Sequence, residues 1–185
     1  METASIGLAT LVLLVALALA FDFLNGFHDA ANSIATIVST KVLKPHHAVI
    51  WAATFNFAAV MVFEMNVAAT VGKGIVEPSV IDAYTIFGAL VGAIAWNLIT
   101  WYFGLPSSSS HALIGGVVGA AFVAAGPDAI IGEGLIGKVA IPAVVAPTLA
   151  FVVAGIGILI IYRMVGRQHP GPVTRGFRFG QIISG

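Results

Sequence analysis

The sequence predicts an all-α fold, a polytopic bundle of membrane helices, and three observations carry that prediction. Apolar residues make up 59% of the 185 positions, and the mean hydropathy is +1.03. Charged residues account for only 9%, against about 25% in an ordinary soluble domain. The apolar residues also fall into blocks close to the ~20 residues that cross a bilayer as a helix. A soluble fold has too little interior to hide so much apolar surface, so lipid must be the solvent for much of it.

The eight basic and eight acidic residues cancel, and no basic field points to nucleic acid. There are no cysteines, which excludes disulfides, thiolate metal sites and cysteine nucleophiles. The start, Met1-Glu2-Thr3, lacks the basic region of a signal peptide, so the first apolar run reads as a retained span. No nucleophile, base and orienting group follow one another recognisably, and no glycine-rich nucleotide loop follows a strand. An enzyme is not expected, and neither is a cofactor.

In chain order, the window reading places spans near residues 6–24, 48–69, 80–103, 111–125 and 141–161. The fourth is short, and Pro106 with the serines ahead of it suggests a segment that is re-entrant or opens from a polar vestibule. Connections are brief and punctuated by Lys44-Pro45, Glu77-Pro78, Gly126-Pro127 and His169-Pro170-Gly171-Pro172. The chain reads as a single transmembrane domain over residues 1–185. Lys41 and Lys44 follow the first span, and Arg163, Arg167, Arg175 and Arg178 follow the last. With every segment counted as a crossing, both basic ends share one side, the cytoplasmic one by the positive-inside rule. An odd number of crossings means that a second copy of this unit, joined at the C-terminus, would be inverted, as in many secondary transporters. No internal repeat is visible, so the chain would be one half of such a protein.

The first apolar run continues into Asp22-Phe23-Leu24-Asn25-Gly26-Phe27-His28-Asp29-Ala30-Ala31-Asn32-Ser33-Ile34-Ala35-Thr36. Here Asp22, Asn25, Asp29, Asn32 and Thr36 recur at steps of three or four, which places them on one helical face. A carboxylate at mid-bilayer costs roughly 2.5 to 3.5 kcal/mol on insertion scales, so these groups should face a wet cavity or a bound cation. Carboxylate, amide and hydroxyl oxygens suit hard cations or protons. A continuous helix over residues 6–38 would be roughly 50 Å long against about 30 Å of hydrocarbon, so a break at Asn25-Gly26 is expected. His28 lies off the stripe and reads as an ordinary polar contact.

Ser107, Ser108, Ser109, Ser110 and His111 open the fourth apolar segment. In a water-poor setting, a helix N-terminus offers free N–H groups, and serine hydroxyls can join them on an anion. A flexible polar turn is the competing reading of the run. Gly115-Gly116 and Gly119-Ala120-Ala121 would allow a neighbouring helix to approach closely. Glu64, Asn56, Asn66, Asn97 and Thr100 are further polar residues in or beside spans. The tryptophans read as packing and interface anchors.

Two stretches resemble the inorganic phosphate transporter family, Pit, especially its bacterial low-affinity members. They are Asn25-Gly26-Phe27-His28-Asp29-Ala30-Ala31-Asn32-Ser33-Ile34-Ala35-Thr36 and Trp96-Asn97-Leu98-Ile99-Thr100-Trp101-Tyr102-Phe103-Gly104-Leu105-Pro106-Ser107-Ser108-Ser109-Ser110-His111. Phe63-Glu64 is similar to the family's pattern in the second span. The resemblance covers the first half of a family member, and the chain stops about where a second, inverted repeat would begin. It therefore implies the first repeat of a two-repeat transporter, truncated before the second, with that missing repeat or a second copy as partner.

The resemblance further implies secondary active transport of inorganic phosphate across the plasma or bacterial inner membrane. Transport would be a symport with a cation, proton favoured and sodium the alternative, with metal-phosphate as a substrate form. Ser107 to Ser110 with His111 would form the phosphate side; Asp22, Asn25, Asp29, Asn32, Ser33 and Glu64 would hold the coupling cation or substrate. The alternatives are a sulfate or other oxyanion permease and a truncated, non-transporting membrane subunit.

Overall fold

The computed structural model describes residues 7–62 and 74–184, and the secondary structure there is helical apart from one isolated bridge between Val76 and Ile130. The helices are α1 (Leu8–Ser39), α2 (Pro45–Val62), α3 (Ala83–Tyr102), α4 (Ser109–Ala125), α5 (Gly132–Val165) and α6 (Pro170–Ser184). By length and composition α1, α3 and α5 are able to cross a membrane, and α4 is a shorter apolar helix. The expected second span begins as α2, and its later part lies outside the described residues, as do Glu64 and Asn66. The chain forms two compact units: residues up to Asn32 with Glu64–Ile136, and Ser33–Phe63 with Gly137–Gly185.

One expectation is overturned. The first helix is not broken at Asn25-Gly26 but runs unbroken for 32 residues from Leu8 to Ser39, about 48 Å of helix. A single interior glycine costs only about 1 kcal/mol relative to alanine, and the run contains no proline to remove a hydrogen bond. Excess length can be taken up by tilt or by projection past the hydrocarbon, at fractions of a kcal/mol per Å, which is cheaper than exposing free backbone at depth. The helix ends where Val42 N–H reaches Ile37 C=O and Lys41 N–H reaches Val38 C=O, both at 3.0 Å, with Lys41 at φ 57°. These are the paired bonds of a left-handed C-terminal cap, here on a lysine.

Within the first unit, α3 and α4 form a tight antiparallel hairpin. Gly116 is the closest point: a Cβ there would sit on the carbonyl oxygen of Ala89. Gly92 faces Gly116, and Gly88 faces Ala120, so small residues line the seam on both helices. Such residues are the usual means of close helix approach in lipid, where association rests on packing and not on water release. Phe21 of α1 joins Leu90, Ala93 and Ala112 in the core, flanked by Leu17, Ala18, Ile94 and Leu113.

Both ends of the hairpin are fixed by backbone bonds. At one end Gly104, at φ 63°, donates to Trp101 C=O (3.0 Å) while Leu105 N–H reaches Thr100 C=O (2.8 Å). That is a Schellman cap, and its left-handed position is cheap only for glycine. At the other end Glu77 N–H donates to Ala129 C=O and Ile131 N–H to Ile75 C=O, each at 2.9 Å. Ile75, Val76 and Ala129 are buried beneath this clasp. Asp82 caps α3, accepting from Thr85 N–H at 2.7 Å, and this bond holds its carboxyl below the ordinary value.

A π-turn over Ile136–Ala140 interrupts α5 just before Pro142. Proline has no N–H for the carbonyl four residues back, which accounts for the local change of register. The terminal helix α6 is an element that the proline and glycine punctuation of residues 169–172 did not lead us to expect.

Three outcomes follow for stability. Gly116→Leu must separate α3 from α4 and is expected to cost about 1 to 3 kcal/mol, read as a fall in melting temperature in detergent. Gly119→Ala, which meets nothing within 4 Å, should leave it unchanged. Asp82→Ala should lower the melting temperature at neutral pH. Because the folded carboxyl titrates low, the cap contributes fully above the ordinary aspartate value of 3.8. The difference from wild type should vanish as pH falls through the lowered folded value.

Candidate functional site

The apolar face that seats α1 against α3 and α4 becomes polar one turn past Phe21. Leu17, Ala18 and Phe21 pack in the core, and the same face continues through Asn25 and His28, with Asp29 at its edge. The Schellman cap at Gly104 turns the chain so that Pro106 to Ser108 lead directly into α4. Ser108 is the N-cap, and Ser109 is the first helical residue.

Ser109 is buried, and its Oγ donates to Asn25 Oδ1, with Asp29 Oδ2 at 3.3 Å. One hydroxyl proton therefore faces two acceptors on successive turns of α1. This is the contact the sequence separates by about 80 residues and the fold closes. The N-terminal end of α4 also carries the positive end of the helix dipole.

The other serines have different work. Ser108 Oγ accepts from His111 N–H at 3.3 Å and lies 2.9 Å from His111 Nδ1. Ser107 Oγ accepts from the Trp96 indole N–H at 3.2 Å. Ser110 and His111 are exposed. Trp96, Ser107, Ser108 and His111 stand at one end of a cavity of about 550 Å³ that continues along Gly92, Gly115 and Gly119. Of the residues expected on the phosphate side, three thus line this cavity, and Ser109 points into the contact with α1.

The polar stripe on α1 is divided. Asn25 and Asp29 are half-buried and meet Ser109, whereas Asp22, Asn32, Ser33 and Thr36 are exposed. The reason is angular: Asp22 lies about 100° around the helix from Phe21, which marks the packed face.

His28, read from the sequence as an ordinary polar contact off the stripe, is 8% exposed. Its Nε2 is 3.5 Å from Thr100 Oγ1, which also lies 2.9 Å from Trp96 C=O. Thr100 has one hydroxyl hydrogen, and the carbonyl of its own helix takes it. The threonine oxygen is therefore free to accept from the ring. Nδ1 has no hydrogen-bond partner among the described residues and lies 4.0 Å from Asp29 Oδ1. Asn97, 2% exposed, has an amide nitrogen in the same condition. The signal for this cluster was present: Asn97 and Thr100 are three apart on α3, and His28 is seven residues past Phe21.

Thr100→Val keeps the shape but removes the hydroxyl that faces His28 Nε2 at 3.5 Å, and is expected to cost about 1 to 3 kcal/mol. Thr100→Ser should restore most of it. Denaturation in detergent, with the two variants beside wild type, checks both.

Comparison with known proteins gives consistent relatives. The model of the phosphate transporter family matches residues 25–184. A probable low-affinity inorganic phosphate transporter of Rhizobium meliloti is 52% identical over 98% of this chain and 54% of its own length. A Bacillus subtilis protein of the same description is 48% identical over 94% of this chain and 52% of its own length. Among solved structures, a sodium-dependent phosphate transporter is similar with a TM-score of 0.80 and 27% identity, over 88% of this chain and 42% of that one. The chain thus spans about half the length of these relatives.

Proposed function

The chain belongs to the phosphate transporter family, whose members are transporters and not enzymes, and is an integral protein of the cell membrane; we propose that it supplies one wall of a phosphate-transport site. The observation that carries this reading is the meeting of Ser109, at the N-terminus of α4, with Asn25 and Asp29 of α1. A hydroxyl, an amide and a carboxylate converge there at the positive end of an apolar helix.

Phosphate oxygens need hydrogen-bond donors and relief from their own charge in a low-dielectric setting. The first-turn amides of α4 and the hydroxyls of Ser107 to Ser110 are such donors, and His111 at the cavity mouth adds a ring N–H. The Asp29 carboxylate is the obstacle, since it already engages Ser109 and repels an incoming anion. A cation arriving at Asp29 removes the repulsion and frees the Ser109 hydroxyl to turn toward phosphate. Cation and phosphate then strengthen each other's binding reciprocally, which is what symport requires.

We take the cation to be a proton. Asp29 is the group proposed to accept it, and the His28 ring lies beside it, with Nδ1 at 4.0 Å. The solved relative is named for sodium, and an experiment separates the two ions. A metal-phosphate complex is the neutral alternative form of the substrate on the same reasoning.

Phosphate uptake into proteoliposomes tests the reading. Asp29→Asn and Ser109→Ala should each lower uptake at least tenfold, with sulfate competing poorly. Undiminished uptake in both variants would remove the α1–α4 contact from the mechanism. Uptake driven by a sodium gradient at equal pH on both sides would overturn the proton assignment and leave the phosphate reading standing.

A further inference from the structure

We infer that α6 is an interfacial anchor whose basic face takes the headgroups of anionic phospholipids while its apolar face lies in the bilayer boundary. This rests on the second compact unit alone, and not on the phosphate reading.

The pattern of α6 is amphipathic at helical spacing. Val173, Gly176, Phe177, Gly180 and Ile183 share one side, with Phe179 at its edge. Thr174, Arg175, Arg178 and Gln181 occupy the other. At 15 residues and with two arginines, it is too short and too charged to span.

Its polar side is tied to the corner between α1 and α2. Thr40 Oγ1 lies 3.4 Å from Gln181 Oε1, Arg178 Nη2 lies 3.5 Å from Lys41 C=O, and the Trp51 indole N–H donates to Ile182 C=O at 3.1 Å. The apolar side is open, with Phe179 66% and Ile183 70% exposed. This corner is a boundary in the fold, since α1 ends and α2 begins there. A tryptophan tying a helix to that level is the usual interfacial arrangement.

Charge identifies the occupant. Residues 33–63 and 137–185 contain no aspartate or glutamate, and all eight acidic residues lie elsewhere in the chain. Lys41, Lys44, Arg163, Arg167, Arg175 and Arg178 gather at the ends of α1 and α5, the start of α2 and along α6. With no carboxylate in the unit, neutralisation must come from outside it, and an anionic headgroup layer supplies a plane of phosphates. Each lysine or arginine held near such a surface contributes roughly fivefold in partitioning. The arginine stems can lie along the apolar boundary while their guanidinium groups reach the headgroups. An open pocket of about 650 Å³ beside Arg175 and Phe179 joins the two kinds of contact.

The absence of cysteine makes a direct test available. Nitroxide labels are placed on Phe179→Cys, on Ile183→Cys and, on the opposite face, on Thr174→Cys. Each is reconstituted in phosphatidylcholine vesicles with and without phosphatidylglycerol. In the anionic vesicles, the labels at 179 and 183 should collide several-fold more with oxygen, relative to a water-soluble nickel chelate, than the label at 174. Omitting phosphatidylglycerol, or adding Arg175→Gln with Arg178→Gln, should reduce that ratio at least twofold. Equal nickel access on both faces would overturn the anchor, and a label at 179 shielded from both agents would overturn it in favour of a protein partner. A lipid-facing label indifferent to phosphatidylglycerol would overturn the headgroup assignment.

Discussion

The first unit depends on how closely α3 and α4 approach, and that distance is set by the backbone of Gly116 resting on the Ala89 carbonyl. In lipid there is no hydrophobic gain from bringing two apolar helices together, so contact area and fit have to hold them. Small residues on both sides provide the fit, and the Gly104 cap and the Val76–Ile130 bridge fix the two ends. With the hairpin rigid, Phe21 has one place to pack. Packing it there brings Asn25 and Asp29, one and two turns on, to the N-terminus of α4.

A polar cluster built in this way is costly unless its members satisfy one another. Ser109, Asn25 and Asp29 do so through one shared hydroxyl proton. The cluster of His28, Thr100 and Asn97 is less complete, with two buried nitrogens lacking partners among the described residues.

The second unit answers a different demand. It carries basic charge without acid, almost no buried surface along α5, and an amphipathic helix at its edge. Its stability rests on its surroundings more than on an internal core, as expected where lipid tails are the solvent and headgroups supply the counter-charge.

How far the sequence could be read follows from the range of each interaction. Composition and block length settle that the chain is a bundle of membrane helices, because burial of apolar surface is additive and local. The serine run reads as a helix start because capping is a matter of neighbours, and Gly115-Gly116 reads as a packing step because glycine always permits one. The unbroken first helix was not legible, since a glycine breaks a helix only when tertiary contacts reward the break. Nor was the role of His28: periodicity drew the stripe through Asp22, but the packed face is set by where Phe21 lands on α3 and α4, and that rotates His28 in and Asp22 out. The residues and their order fix the class of the fold and the chemistry of its polar groups. Which of those groups meet is a matter of packing, because a hydrogen bond between Ser109 and Asn25 depends on a seam of glycines that neither residue touches.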